Sequence, residues 1–133
     1  MSRLIGVYGS LRTGGSNYPQ LRSAGAPRAV PEAVISIPGR LYSLGAYCCA
    51  VPLAEGEDGE ILTEIYEVDD HVFLALDAME REAGYVGIET NAVGADGVKR
   101  TFIVWYHLTV PTGATRAEGG DWVAYCRSRN QRH

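Results

Sequence analysis

Polar and apolar positions change period several times along the chain, and each change marks an element. Leu4-Ile5-Gly6-Val7-Tyr8 is a continuous apolar run that reads as a buried strand. A Gly/Ser-rich turn follows at residues 9–16, and Asn17 can cap a short helix over 18–24 with Pro19 in its first turn. Segments 33–37 and 39–44 read as strands separated by the Pro38-Gly39 turn signal. Residues 45–59 read as a loop with an apolar patch from Tyr47 to Leu53. Ile61–Val68 alternates as a strand does. Asp69 and Asp70 then open a helix over 70–82 that stops at Gly84. Two strands, 85–93 and 99–108, flank a hairpin turn at Gly94–Gly97, where Asp96-Gly97 is the strongest signal. The final stretch reads as a loop ending in a short helix or strand near Trp122.

Strands joined by short turns, with two main helices, give an α+β class. The expected sheet is curved, mixed but largely antiparallel, and barrel-like. It is not the alternation of a doubly wound fold. At 133 residues the chain reads as a single domain over 1–133.

The 70–82 helix carries the most informative pattern. On a wheel of about 100° per residue, Val72, Phe73, Leu76, Met79 and Ala83 form an apolar stripe about 120° wide. Glu80 falls inside that stripe. Asp70, His71, Asp77, Arg81 and Glu82 fall on the other side, toward water. A carboxylate among apolar side chains needs a partner, a proton or a ligand-filled cavity. Desolvation and the nearby helix C-terminus both raise its pKa, toward the range of a general acid/base. The alternative is a side chain that snorkels out at a frayed last turn.

The glycine-rich turn after the first strand offers exposed backbone N–H groups, a feature of anion sites that also serves plain turn geometry. Together, loop and helix point to a ligand pocket between Tyr8–Arg12 and Glu80. Arg12 itself reads as a surface residue, or as an anion ligand.

Charge and cysteine content narrow the chemistry. The net charge is −4 and Lys99 is the one lysine, which argues against nucleic acid as a partner. Arg127, Arg129 and Arg132 read as a solvated tail. Cys48, Cys49 and Cys126 make a poor disulfide framework and fit a reducing, cytoplasmic setting. His71, His107 and His133 are too scattered for a metal site, so no metal is expected. The run Leu4–Tyr8 is too short for a signal peptide or membrane span, so no membrane partner is expected. Cys126 and His107 read as core or surface residues in preference to a nucleophile pair. Asp77 and Asp121 read as structural, bonding backbone groups. Trp105 shares a strand face with Ile103 and His107, where it can wall a cavity.

Five segments in order resemble the gamma-glutamylcyclotransferase-like family, in its small bacterial, AIG2-like branch related to gamma-glutamylamine cyclotransferase. They are Val7-Tyr8-Gly9-Ser10-Leu11-Arg12, Gly39-Arg40-Leu41-Tyr42-Ser43-Leu44-Gly45, Glu64-Ile65-Tyr66-Glu67-Val68, Leu76-Asp77-Ala78-Met79-Glu80 and Gly120-Asp121-Trp122. The resemblance implies that family's fold, with one main cavity. It implies that Tyr8, Gly9, Ser10 and Leu11 cradle the amino-acid end of a gamma-glutamyl substrate. It implies that Glu80 is the acid/base of a cyclisation to 5-oxoproline, with no cofactor. Two positions depart from the family pattern. Thr63 stands where a glycine is frequent, and Tyr85 is followed by Val86-Gly87 where many members have Y-x-R. These departures bear on specificity and make Tyr85 a further candidate at the site.

Two other readings fit parts of the sequence. One is a non-catalytic domain of the same fold that holds an amino-acid-like ligand. The other is a flavodoxin-like FMN reductase, suggested by Gly9-Ser10-Leu11-Arg12 and the later Ser16-Asn17. The chain lacks the repeated βα units that the second requires.

Overall fold

The strand-forming segments pair into one curled, half-barrel mixed sheet. The structure is a computed structural model that describes residues 2–9, 11, 12 and 33–129. Ser10, the expected helix at 18–24 and Arg132 lie outside the described residues. The strands are β1 (Ser2–Val7), β2 (Ala33–Pro38), β3 (Arg40–Ser43), β4 (Cys48–Val51), β5 (Glu60–Asp69), β6 (Val86–Val93), β7 (Lys99–Tyr106) and β8 (Thr115–Arg116). Helix α1 spans Asp70–Glu82 and helix α2 spans Trp122–Ser128. The order across the sheet is β2-β5-β1-β7-β4-β3-β8, with β6 also on β7. Five of these pairings are antiparallel and two, β1 with β7 and β4 with β7, are parallel. A doubly wound flavin fold, whose sheet is mostly parallel, is incompatible with this arrangement.

Each face of the sheet has its own core. Ile5, Val7, Tyr66, Val68 and Trp105 pack with Val72, Phe73 and Leu76 of α1. Ile35, Ile37, Ile61, Ile65, Phe102 and Val104 pack with Trp122 and Cys126 of α2. Covering both faces explains the departure at residues 45–59. Within β4, Cys49 and Val51 join the α1 face while Cys48 and Ala50 join the α2 face. All four are buried, so the segment shows no alternation and resembles an apolar patch in a loop.

A strand has two edges. β6 occupies one edge of β7 along its whole length, from Val86↔Tyr106 to Val93↔Lys99. β1 and β4 therefore share the other. β1 pairs there at Ile5↔Ile103 and Gly6↔Val104, and β4 takes over at Ala50↔Tyr106. The sheet divides at Trp105, between these two partners.

Gly6 lies on the α2 face of this division. A Cβ there would come within 2.8 Å of Thr63 Cγ2, 2.9 Å of Val104 Cγ2 and 3.0 Å of Phe102 Cδ2. Thr63 is fully buried, and the missing side chain at Gly6 makes room for it. Gly6→Ala is expected to destabilise the fold by about 1–3 kcal/mol, as overpacking does. An unchanged urea midpoint would contradict this packing.

Candidate active site

Three local structures build the site. The first is the end of β1. After Val7 the chain turns, and the Arg12 N–H donates to the Gly9 carbonyl at 3.0 Å. Tyr8 points into the division of the sheet. Its hydroxyl donates to the Trp105 carbonyl at 2.7 Å and accepts the Ala50 N–H at 2.9 Å. One phenol thus bridges β7 and β4 where β1 has left. Burial, with the neighbouring Cys48, raises its pKa well above the ordinary value, so it stays a donor.

The second is the ion-pair group around Arg12. The sequence reading placed this side chain at the surface or on an anion; the structure buries it between two acids. Its Nε donates to Glu64 Oε2 at 2.9 Å and its Nη1 to Asp121 Oδ1 at 2.8 Å. The Tyr66 hydroxyl donates to Glu64 Oε1 at 3.1 Å. Asp121 also accepts the Ala124 N–H, which caps α2 as expected of a backbone-bonding acid. Desolvation opposes its charge, but the bonds from Arg12 and the α2 backbone hold its pKa below the usual range. Glu64 was the available signal for this group. An acid in the interior of an apolar strand requires a cation.

The third is the last turn of α1. The Gly84 N–H donates to the Arg81 carbonyl at 3.0 Å and the Tyr85 N–H to the Glu80 carbonyl at 2.9 Å. Gly84 has φ +93°. This is a Schellman ending, with glycine in the left-handed position. It fixes Tyr85 beside Glu80. The Tyr85 hydroxyl then reaches across and donates to the Cys48 carbonyl of β4 at 2.6 Å.

Between these structures lies a cavity of about 380 Å³. Gly6, Val7, Tyr8, Gly9 and Leu11 line it from β1 and its loop, Met79 and Glu80 line it from α1, and Ala83 lines it from just past the end of that helix. Tyr47, Cys48, Tyr85 and Trp105 complete the wall. Of the candidates from sequence, Tyr8, Gly9, Leu11, Glu80, Tyr85 and Trp105 are thereby brought together. The stripe on α1 divides in two. Val72, Phe73 and Leu76 are buried, whereas Met79 and Ala83, read as core residues, are exposed and overhang the cavity. Burial raises the Glu80 pKa from 4.5 to about 7.

Two further expectations need correction. Asp77 was read as a water-facing residue that bonds backbone. Its Oδ1 instead accepts the Trp105 indole N–H at 2.9 Å and its Oδ2 accepts from Arg81 Nε at 2.8 Å. The bond from Trp105, followed by that from Arg81, lowers its pKa. Asp77 therefore ties α1 to the cavity wall. Tyr47, Cys48 and Met79 were missed as wall residues, because β4 lacks a periodic signature and Met79 looks like core. Cys126 and His107 are not brought together. Cys126 is fully buried on the α2 face, and His107 stands edge-on to Tyr85 on the other face, with ring centroids 4.3 Å apart.

A family model described as gamma-glutamyl cyclotransferase, AIG2-like matches residues 5–124. The chain belongs to this family. The AIG2-like fold recurs in solved structures. A protein from Pyrococcus horikoshii is 25% identical, with a TM-score of 0.71 and 96% of each chain covered. An AIG2-like protein from Mus musculus is 18% identical, with a TM-score of 0.68 over 84% of this chain and 80% of that one. A structure titled gamma-glutamyl cyclotransferase is also 18% identical, with a TM-score of 0.62 over 89% of this chain and 73% of that one. Among curated protein sequences none matches. Among the described residues no helix is long and apolar enough to cross a membrane.

Tyr8→Phe leaves the Trp105 carbonyl and the Ala50 N–H without the bridging hydroxyl. The expected loss is about 1–3 kcal/mol of stability, read from the urea midpoint. A second expectation follows from Glu80. With its folded pKa near 7 and 4.5 as the exposed reference, the folded state holds more protons between those values. Stability contributed by protonated Glu80 is complete below about 4.5 and is lost as pH rises through about 7. Glu80→Gln should therefore unfold at higher urea than the unmodified protein at pH 8, with the difference vanishing below pH ~4. Equal midpoints at pH 8 would contradict a desolvated carboxylate.

Proposed function

We propose that the chain is a cofactor-independent gamma-glutamylcyclotransferase that converts a gamma-glutamyl amine or gamma-glutamyl amino acid to 5-oxoproline. The observation that carries this reading is the desolvated Glu80 carboxyl, which faces the β1 loop across a cavity in a chain of this family.

The reaction asks little of the protein in covalent chemistry. The substrate's α-amine nitrogen attacks its own γ-carbonyl carbon. A C–N bond closes the five-membered lactam, and the C–N bond to the departing amine breaks. The α-ammonium must first lose a proton, and the departing nitrogen must gain one. Glu80, ionised, accepts the first proton and, once protonated, delivers it to the leaving nitrogen. A carboxyl with a pKa near 7 can exchange protons in both directions at neutral pH.

The rest is positioning. The backbone N–H groups of Gly9 and Leu11 receive the α-carboxylate or the developing oxyanion. Tyr85 and Trp105 confine the glutamyl chain so that amine and carbonyl meet, and such proximity can lower the barrier by several kcal/mol. Arg12 is held by Glu64 and Asp121, so in this mechanism it steadies the loop and does not bind the substrate.

Glu80→Gln should lower 5-oxoproline release by about 10²–10⁴. In the unmodified protein kcat/KM should rise with pH through a midpoint of about 7, and the variant should lack that limb. Turnover unchanged by Glu80→Gln would overturn the assignment. Tight binding of gamma-glutamyl compounds without any product would indicate a binding domain.

A further inference from the structure

We infer that Cys48 is a positioning residue for the cyclisation proposed above, on which the inference rests: its thiol is the floor under Gly9 and sets how far the β1-loop amides stand from Glu80.

Gly9 is not a glycine for reasons of backbone conformation. It is absent from the described glycines with positive φ, so its φ is open to other residues. Contact is what excludes a side chain there. A Cβ on Gly9 would lie 2.9 Å from Cys48 Sγ, well inside the about 3.5–4.0 Å of ordinary nonbonded contact. Among the described residues, that sulfur is the one atom within 4 Å of such a Cβ. Loop and thiol thus touch, and each lines the cavity.

Cys48 is poorly placed to give way. Its backbone pairs with Ser43 of β3, and its carbonyl accepts the Tyr85 hydroxyl at 2.6 Å. Two residues on, the Ala50 N–H donates to the Tyr8 hydroxyl at 2.9 Å. The side chain is buried in the α2-face core and has a single torsion, so the loop is the partner that yields to a collision. Burial, followed by the neighbouring Cys49 and Cys126, raises the thiol pKa well above its ordinary value. At pH 7 the group is a neutral thiol, and it acts through its volume and not as a nucleophile or an anion.

This one residue of β4 meets both halves of the site. Its carbonyl holds Tyr85, which the end of α1 places beside Glu80. Its sulfur supports Gly9, whose N–H is proposed to hold the anionic end of the substrate. The proton acceptor and the loop amides are therefore spaced through Cys48. A change of spacing disturbs the approach of amine to carbonyl more than it disturbs binding, because the reacting geometry is the narrower requirement.

The test is a size exchange between the two positions, which moves one heavy atom from residue 48 to residue 9. Release of 5-oxoproline from gamma-glutamylbutylamine and gamma-glutamylalanine is measured at pH 7 for the unmodified protein, Gly9→Ala, Cys48→Ala and the double variant. Gly9→Ala should lower kcat by about 10²-fold, with a smaller change in KM, as a misplacement of about 1 Å does. In the Cys48→Ala background the same substitution should lower kcat by no more than about threefold, because contacting positions couple. The comparison of the double variant with Cys48→Ala stands even where Gly9→Ala alone does not fold. An equal loss of kcat from Gly9→Ala in both backgrounds would overturn the inference and leave the cyclisation intact. Variants that differ in urea midpoint but share one kcat would also overturn it, since Cys48 would then serve packing alone. If the unmodified protein releases no 5-oxoproline from either compound, the cyclisation fails. Calorimetry of both compounds on the four proteins then decides the spacing alone: binding weakened by Gly9→Ala and regained in the double variant upholds it, and binding not regained or not detected refutes it.

Discussion

The site depends on a handover along one edge of β7. β6 takes the whole of the other edge, so β1 and β4 must share this one, and they meet at Trp105. A sheet that changes partner in mid-strand leaves backbone groups to be satisfied there, and a buried group left unpaired costs about 1–3 kcal/mol. The Tyr8 hydroxyl resolves this by accepting from Ala50 and donating to Trp105. The division that needs this bridge is also what opens a cavity in an otherwise packed sheet. Tyr8 is therefore a member of the wall whose polar atom serves the fold.

The other two site elements are anchored to this division from opposite directions. On the loop side, Arg12 joins residues far apart in the chain, Glu64 on β5 and Asp121 at the start of α2. A buried ion group of this kind adds little net stability, since desolvation offsets the attraction, but removing one member leaves a charge stranded. Its contribution lies in fixing where the loop sits. On the helix side, the Schellman ending places Tyr85 next to Glu80, and the Tyr85 hydroxyl reaches Cys48 on β4. Asp77 adds a tie from α1 to Trp105. Among the described residues, Glu80 itself has no such tie to satisfy its charge. It is desolvated by the wall that the others hold in place, and this is the physical origin of its raised pKa.

Much of this was legible in the sequence where one local pattern decides the outcome. The period of α1 separated Glu80 from Glu82, and the β6–β7 hairpin was marked by its turn residues, Asp96-Gly97 above all. The sequence was least legible where two distant elements act on one residue. Arg12 is 52 positions from Glu64 and 109 from Asp121, so nothing around it announces its burial. β4 loses alternation because helices cover both faces of the sheet. Met79 continues the apolar stripe of α1 but is exposed at the cavity, whereas Val72, Phe73 and Leu76 are buried. Asp77 falls on the polar side of the wheel and is captured by an indole from β7. The matching segments that suggested the family become intelligible in these terms. Three of them, around Arg12, Glu64 and Asp121, are the three members of one ion group.

The central claim is that the fold holds one carboxyl desolvated at the cavity wall. Carbon-13 NMR of glutamate Cδ resonances, with Glu80 assigned by its loss in Glu80→Gln, measures this directly. The account predicts a titration midpoint for Glu80 near 7, well above the 4.5 of an exposed glutamate. A midpoint near 4.5 would mean that the carboxyl is solvated, and would contradict both the geometry and the acid/base role built on it.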